Sequence, residues 1–479
     1  MDAHSLSREM WARNGAIGLA LPAFGCKARH RTYSAVRDPG ERGVAKRRST
    51  LQSRTSGPPA ECDQAPGEGV QQPVDPGTPG RVASVSVRPL AVLALILAVS
   101  LIPRLATLQR VRMPSGEVVY RHFEGDERVL QELVRRVQVH FFDYTLHGSP
   151  VLEGLNPPDY DLPIFFHPPA FVYTARILAF LPLPLVPVLM NLVTIAVVFW
   201  LGRGFYDDER GLWAALLLAA CPVTWFVSQK IWLDNMLVMM VAASMAAMMS
   251  AADRGRAWAY AIAGVTFGLT FLTKVAGILA LPALAILALQ RDTRGLTAAK
   301  AAAFAVPALV LMGWWELTLK SYNGVWSPSA FPDPKVLAAL PFVREALDRP
   351  WYFYLVNLVV ISPVYLLALG VTRRRRMNEL PVVVWFVAFW IGATTFGLRG
   401  GGYQTRYFAP AYPALALLAA EPIARFRVGG LAAVVALVGY GMMNALVYAV
   451  IDTPRLADFQ FSVGTLLIEK LTQVGTFGQ

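Results

Sequence analysis

Charge and cysteine are both scarce in this chain. Only 16% of its 479 residues are charged while 55% are hydrophobic, and the mean hydropathy is +0.44. Three cysteines, Cys26, Cys62 and Cys221, make no disulfide framework, and Cys221 lies within an apolar run. No strand precedes the glycine-rich stretch Gly397-Leu-Arg-Gly-Gly-Gly402, so it reads as a flexible loop and not as a phosphate cradle. Neither a His-rich nor a multi-carboxylate ligand spacing occurs, and no metal is expected, a divalent ion being the disfavoured alternative. No internal repeat stands out.

What is present is a succession of apolar runs, several of them approaching the roughly 20 residues that a helix needs to cross a bilayer core. They predict spans near 89–103, 185–202, 212–228, 231–250, 257–272, 275–289, 301–319, 351–371, 380–396, 407–420 and 429–450, about eleven in all. Residues 1–87 are rich in Arg, Lys, Gly, Pro, Ser and Gln and read as a disordered basic tail. The net charge of +12 follows from that tail and from short basic loops at 203–210, 252–256, 290–300, 372–378 and 421–427. Those loops alternate with loops poor in Lys and Arg, so the charge reports membrane topology and not a nucleic-acid partner. With the tail cytoplasmic, the basic loops are cytoplasmic too. A loop of roughly 65 residues then follows the first span outside, far longer than ordinary connections.

Charges inside or beside the apolar runs converge on that outer face. The long loop carries His122-Phe-Glu-Gly-Asp-Glu-Arg128, with Asp126 and Glu127 opening a helix whose apolar positions are Leu130, Leu133, Val134, Val137 and Phe141. Asp234 sits where one apolar segment hands over to the next, and Lys274 splits the apolar stretch from Ala257 to Leu289. Each can be read as a turn residue at the interface, with Lys274 snorkelling. Together with Arg406 they instead describe one site at the outer ends of the spans, since ionisable groups in membrane segments mark function. Lys274 and Arg406 suit a phosphate, as a point charge and a fork donor, and Asp126 suits a general base. The combination points to group transfer from a lipid-linked phosphate donor. A secondary transporter or lipid flippase is the alternative, but it calls for repeated halves and midplane charges. A non-catalytic scaffold would leave these four residues without a shared purpose.

At these residues the chain resembles the membrane-embedded GT-C glycosyltransferases of the family 39 type, the protein O-mannosyltransferases and lipid A aminoarabinose transferases. The resemblance covers residues 85–450 and is carried by Asp126-Glu127, His167-Pro168-Pro169, Asp234 in Trp-Leu-Asp-Asn, Lys274 in Leu-Thr-Lys-Val-Ala-Gly, and Arg406-Tyr407 in Thr-Arg-Tyr-Phe-Ala-Pro. It implies an all-α polytopic fold over residues 88–450, a catalytic outer loop over 108–168 and a short extracytoplasmic tail over 451–479. It further implies an inverting enzyme of the inner membrane working on its extracytoplasmic face. The donor would be a polyprenyl-phosphate-linked sugar and the acceptor a lipid, protein or glycan, with no activated nucleotide and hence no nucleotide loop. Asp126 would be the base, Glu127 and Asp234 would position the acceptor or bind a metal, and Lys274, Arg406 and Tyr407 would bind donor. The aminoarabinose enzymes commonly have lysine where this chain has His167, so that residue either binds phosphate or caps the short helix behind Pro168-Pro169.

Overall fold

The computed structural model describes residues 87–106, 108, 110–112, 118–120, 125–149, 151, 162–327, 351–370, 379–401, 404–426 and 428–450. The expected tails over 1–86 and 451–479, the start of the acidic stretch (121–124), and the loops at 152–161, 328–350 and 371–378 lie outside the described residues.

Apolar runs become helices because a backbone in hydrocarbon must satisfy its own N–H and C=O groups. Helix α1 spans Val87–Ala106. A two-stranded antiparallel ribbon follows, Arg110–Arg112 with Val118–Tyr120, in which Val111 faces Val119. Helix α2, Gly125–Val139, starts at Asp126 and Glu127, where the backbone dipole favours acids. Leu130, Leu133, Val134 and Val137 form its buried face, whereas Phe141 falls beyond the helix end and is exposed. Helix α3, Ala170–Ile177, is too short to cross a membrane.

The membrane part continues with α4 (Leu185–Phe205), α5 (Asp208–Ala219), α6 (Pro222–Ser228), α7 (Leu233–Arg254), α8 (Ala257–Thr273) and α9 (Leu281–Arg291). Then come α10 (Ala298–Asn323), α11 (Phe353–Ile361), α12 (Leu367–Gly370), α13 (Leu380–Phe396), α14 (Tyr412–Ile423) and α15 (Val428–Val450). Among the described residues, α1, α4, α7, α10 and α13 are long and apolar enough to cross, and α5 with α6 makes a sixth span if its 60° bend is taken as a break within one. Pro222, which lacks an N–H, opens α6 and forces that bend. Ala257–Thr273, Val275–Arg291 and Val428–Asn444 are apolar but shorter stretches, the last belonging to the 23-residue α15. Between α8 and α9 the chain turns extended at Lys274 (φ −160°, ψ 135°) and then runs as a 3-10 helix over Val275–Ala280. Gly277 permits this reversal, because a Cβ there would lie 2.7 Å from the Thr270 carbonyl oxygen. Gly397–Gly401, expected as a flexible loop, instead continues α13 as a wider π turn.

Contacts between connections sort the molecule into two ends. Arg291 bonds Asp253 and the Gly204 carbonyl, Arg294 reaches the Arg254 carbonyl, and Arg210 pairs with Glu421. The described basic loops at 203–210, 252–256, 290–300 and 421–427 therefore gather at one end, in agreement with the alternation read from the sequence. The opposite end carries α2 and α3. There a separate apolar cluster, including Leu133, Val137, Phe165, Phe171, Met236 and Trp315, seats both helices on α7, α8 and α10. That seating brings distant charged segments within reach of Asp126.

Candidate active site

Asp126 projects from the first turn of α2, and its Oδ2 lies 2.8 Å from Nη2 of Arg406. Arg406 stands on a 3-10 turn, Thr405–Ala411, which Asn357 of α11 steadies by donating to Thr405 Oγ1 at 3.0 Å. The guanidinium is held on two further sides. Its Nε donates to Gln404 Oε1 at 2.6 Å, and its Cζ sits 4.4 Å from the centre of the Trp232 ring. Arginine's flat, weakly hydrated fork suits such stacking.

A second ion pair stands beside the first. Lys274 Nζ lies 2.7 Å from Asp234 Oδ1. Asp234 occupies the first turn of α7, where the helix dipole supports a negative charge, and the break after α8 turns Lys274 toward it. The Tyr407 ring lies between the two cations, 4.9 Å from Lys274 Nζ and 5.3 Å from Arg406 Cζ. His167, packed against the rings of Phe165 and Phe166, completes the wall, and the Tyr144 hydroxyl donates to its carbonyl at 3.0 Å. The first residue before α3 is Pro169, with no side-chain cap.

Titration follows from this arrangement. Burial pushes the His167 imidazole down to about 4, with repulsion from Lys274 acting the same way, so it is neutral at physiological pH. For Asp126 the surrounding protein works to raise the carboxyl, but the Arg406 charge and hydrogen bond, with His167 and Lys274 behind them, hold it below the usual carboxylate value. Its side chain nevertheless remains 51% open to the recess.

Six of the seven residues picked from the sequence thus share one recess: Asp126, His167, Asp234, Lys274, Arg406 and Tyr407. Glu127 does not open into it. Adjacent helical positions point about 100° apart, and Glu127 is buried, accepting the Ile231 N–H at 2.8 Å with Lys230 Nζ at 3.7 Å. It fastens α2 to the backbone just before Trp232 and α7. Trp232 and Gln404 are the residues that sequence reasoning passed over. Their only signal is an aromatic and an amide two positions from Asp234 and Arg406, which local patterning cannot distinguish from interface residues. Among the described residues no cluster of three or more His, Cys, Asp or Glu could hold a metal ion. A groove of about 530 Å³ opens on another face of α2, lined by Arg128, Gln131, Glu132, Arg135, Leu181 and Leu183 among others, and it shares no residue with the recess.

Residues 166–315, which contain His167, Asp234 and Lys274, match the family described as dolichyl-phosphate-mannose-protein mannosyltransferase. The apo crystal structure of ArnT from Cupriavidus metallidurans superposes with a TM-score of 0.50 at 18% identity, covering 77% of this chain and 66% of that one. The chain has the GT-C fold. A second ArnT structure, bound to undecaprenyl phosphate, aligns with a TM-score of 0.48 at 18% identity over 75% of this chain and 69% of that one. Over 100 residues the chain is 32% identical to undecaprenyl phosphate-alpha-4-amino-4-deoxy-L-arabinose arabinosyl transferase 2 of Sodalis glossinidius, a match spanning 20% of this chain and 18% of that protein. The chain therefore spans about two thirds of the ArnT structures and a small part of the Sodalis relative.

Proposed function

We propose that this protein is an integral membrane glycosyltransferase. It moves a sugar from a polyprenyl-phosphate donor to an acceptor hydroxyl, with inversion, at the extracytoplasmic face of the inner membrane. The observation that carries this reading is the meeting of two cations and two carboxylates from four distant segments around one recess. The family match over residues 166–315 and the lipid-phosphate donor in the Sodalis relative's name support it.

In the reaction the acceptor oxygen bonds to the anomeric carbon while the bond from that carbon to the phosphate oxygen breaks. The hydroxyl proton goes to Asp126, and the departing lipid phosphate keeps the electron pair. Charge therefore grows on the phosphate, where Lys274 and Arg406 stabilise it in a partly desolvated setting. His167, being neutral, offers the phosphate a hydrogen bond and not a charge. Asp234 orients Lys274, Tyr407 spaces the two cations, and Glu127 positions α2.

The test is a transfer assay in membranes holding wild type or Asp126→Asn, supplied with radiolabelled polyprenyl-phosphate sugars. Sugar release by wild type alone supports the class and names the sugar. No release from any donor, with acceptor-rich envelope extract added and the protein folded, sinks the reading and favours a transporter or flippase.

A further inference from the structure

Both cations assigned to the donor phosphate already hold carboxylates, and the two pairs are not equivalent. Asp234 is 4% exposed at its side chain and is walled in by α7, whereas Asp126 is 51% exposed and opens on the recess. Of the two, only Asp126 can leave its cation for water without a buried charge losing its partner. We propose that the donor's phosphodiester displaces Asp126 from Arg406, and that this exchange turns Asp126 into a base for the acceptor hydroxyl. The inference rests on the donor reading above and adds when the base becomes competent.

The physical reason is that a carboxylate held by a guanidinium has little appetite for a proton. The charged groups facing Asp126 are Arg406 from the 3-10 turn, Lys274 from the break after α8 and His167 from the segment before α3, with Asp234 and the Tyr407 hydroxyl also facing into the recess. A phosphodiester on Arg406 neutralises the nearest cation and brings an anion beside Asp126, and both changes raise its proton affinity. The guanidinium need not move during the exchange. Trp232 supports its face and Gln404 holds its Nε edge while Nη2 exchanges Asp126 for the phosphodiester. The acceptor's proton then passes to an Asp126 oxygen as the glycosidic bond to phosphate breaks.

The test is calorimetric titration of the detergent-solubilised full chain with a polyprenyl methyl phosphodiester. This probe carries no sugar and does not titrate near neutrality. Running it at pH 6 in two buffers of different ionisation enthalpy counts protons taken up on binding. Wild type is expected to take up protons. Asp126→Asn is expected to take up fewer protons than wild type, His167 being the titratable group left in the site, and to bind about fivefold tighter, the scale of one half-exposed ion pair removed as competitor. Binding without proton uptake, or an Asp126→Asn variant that binds no tighter, overturns the exchange. Failure of wild type to bind the diester overturns the donor reading itself and this inference with it.

Discussion

The two ends of the bundle treat charge differently. At the end with the basic loops, Asp292 and Glu421 are saturated. Asp292 accepts from Lys300 Nζ at 2.6 Å, the Tyr260 hydroxyl at 2.8 Å and the Arg294 N–H at 3.0 Å, and Glu421 bridges Arg210 and Arg425. At the α2 end, Asp126 and Asp234 each pair with one cation, and Asp126 is half open to water. A saturated carboxylate has nothing left to offer a ligand and serves to join neighbouring loops. Undersaturated carboxylates and cations converging from distant segments are what a site for a charged substrate requires. Composition alone does not separate the two ends, since both are rich in Arg, Lys and acids. Partner count separates Asp292 and Glu421 from Asp126 and Asp234.

Substitutions can break this contrast. The largest effect is expected for Asp126→Asn, which should lower the transfer rate by about 10³-fold, in the range for removing a general base, while leaving thermal unfolding in detergent unchanged. Lys300→Ala should do the reverse. It leaves Asp292 buried and short of its cation, costing about 3 kcal/mol of stability by the usual scale for a broken buried pair, with activity per folded molecule intact. If Lys300→Ala instead lowered turnover, the division between the two ends would fall.

A pH profile sharpens the contrast further. Asp126 has its carboxyl lowered in the empty enzyme, so base function is present above the ordinary carboxylate pKa and is lost only as pH falls through the lowered value. The acid limb of kcat/KM should therefore lie below about pH 4. The limb of kcat should sit higher, because donor has taken Arg406. The smallest change is expected for Arg425→Ala, whose side chain is 57% exposed. Stability should shift within about 0.5 kcal/mol and activity not at all.

Much of this was legible in the sequence because apolar membrane segments make charged residues conspicuous. Asp234 and Lys274 interrupt apolar runs, and Arg406 precedes one; their common end followed from the alternation of basic loops. The broken spans were partly legible, through Pro222 and through Lys274 with Gly277, but the 60° bend and the 3-10 turns were not. Gly397–Gly401 misled because glycine suggests a loop, whereas backbone at this depth does better by continuing its helical hydrogen bonds. Pairing was the least legible feature. Asp126 with Arg406, and Asp234 with Lys274, lie far apart in the chain, where no local period applies. For the same reason nothing local to Glu127, expected to position the acceptor or bind a metal, signalled that it accepts the Ile231 N–H.

That buried contact also bears on the order in which the molecule is made. Synthesis runs from the N-terminus, so α2 can dock once residues 230–240 have been inserted, with Glu127 on the Ile231 N–H and the Met236 cluster beneath. Arg406 emerges much later. Until then the recess holds Asp126 and Asp234 against Lys274 alone, an excess of negative charge that repels an anionic lipid. The half-made chain thus lacks one of the two cations of the site, and the turn at Thr405–Ala411 supplies it last.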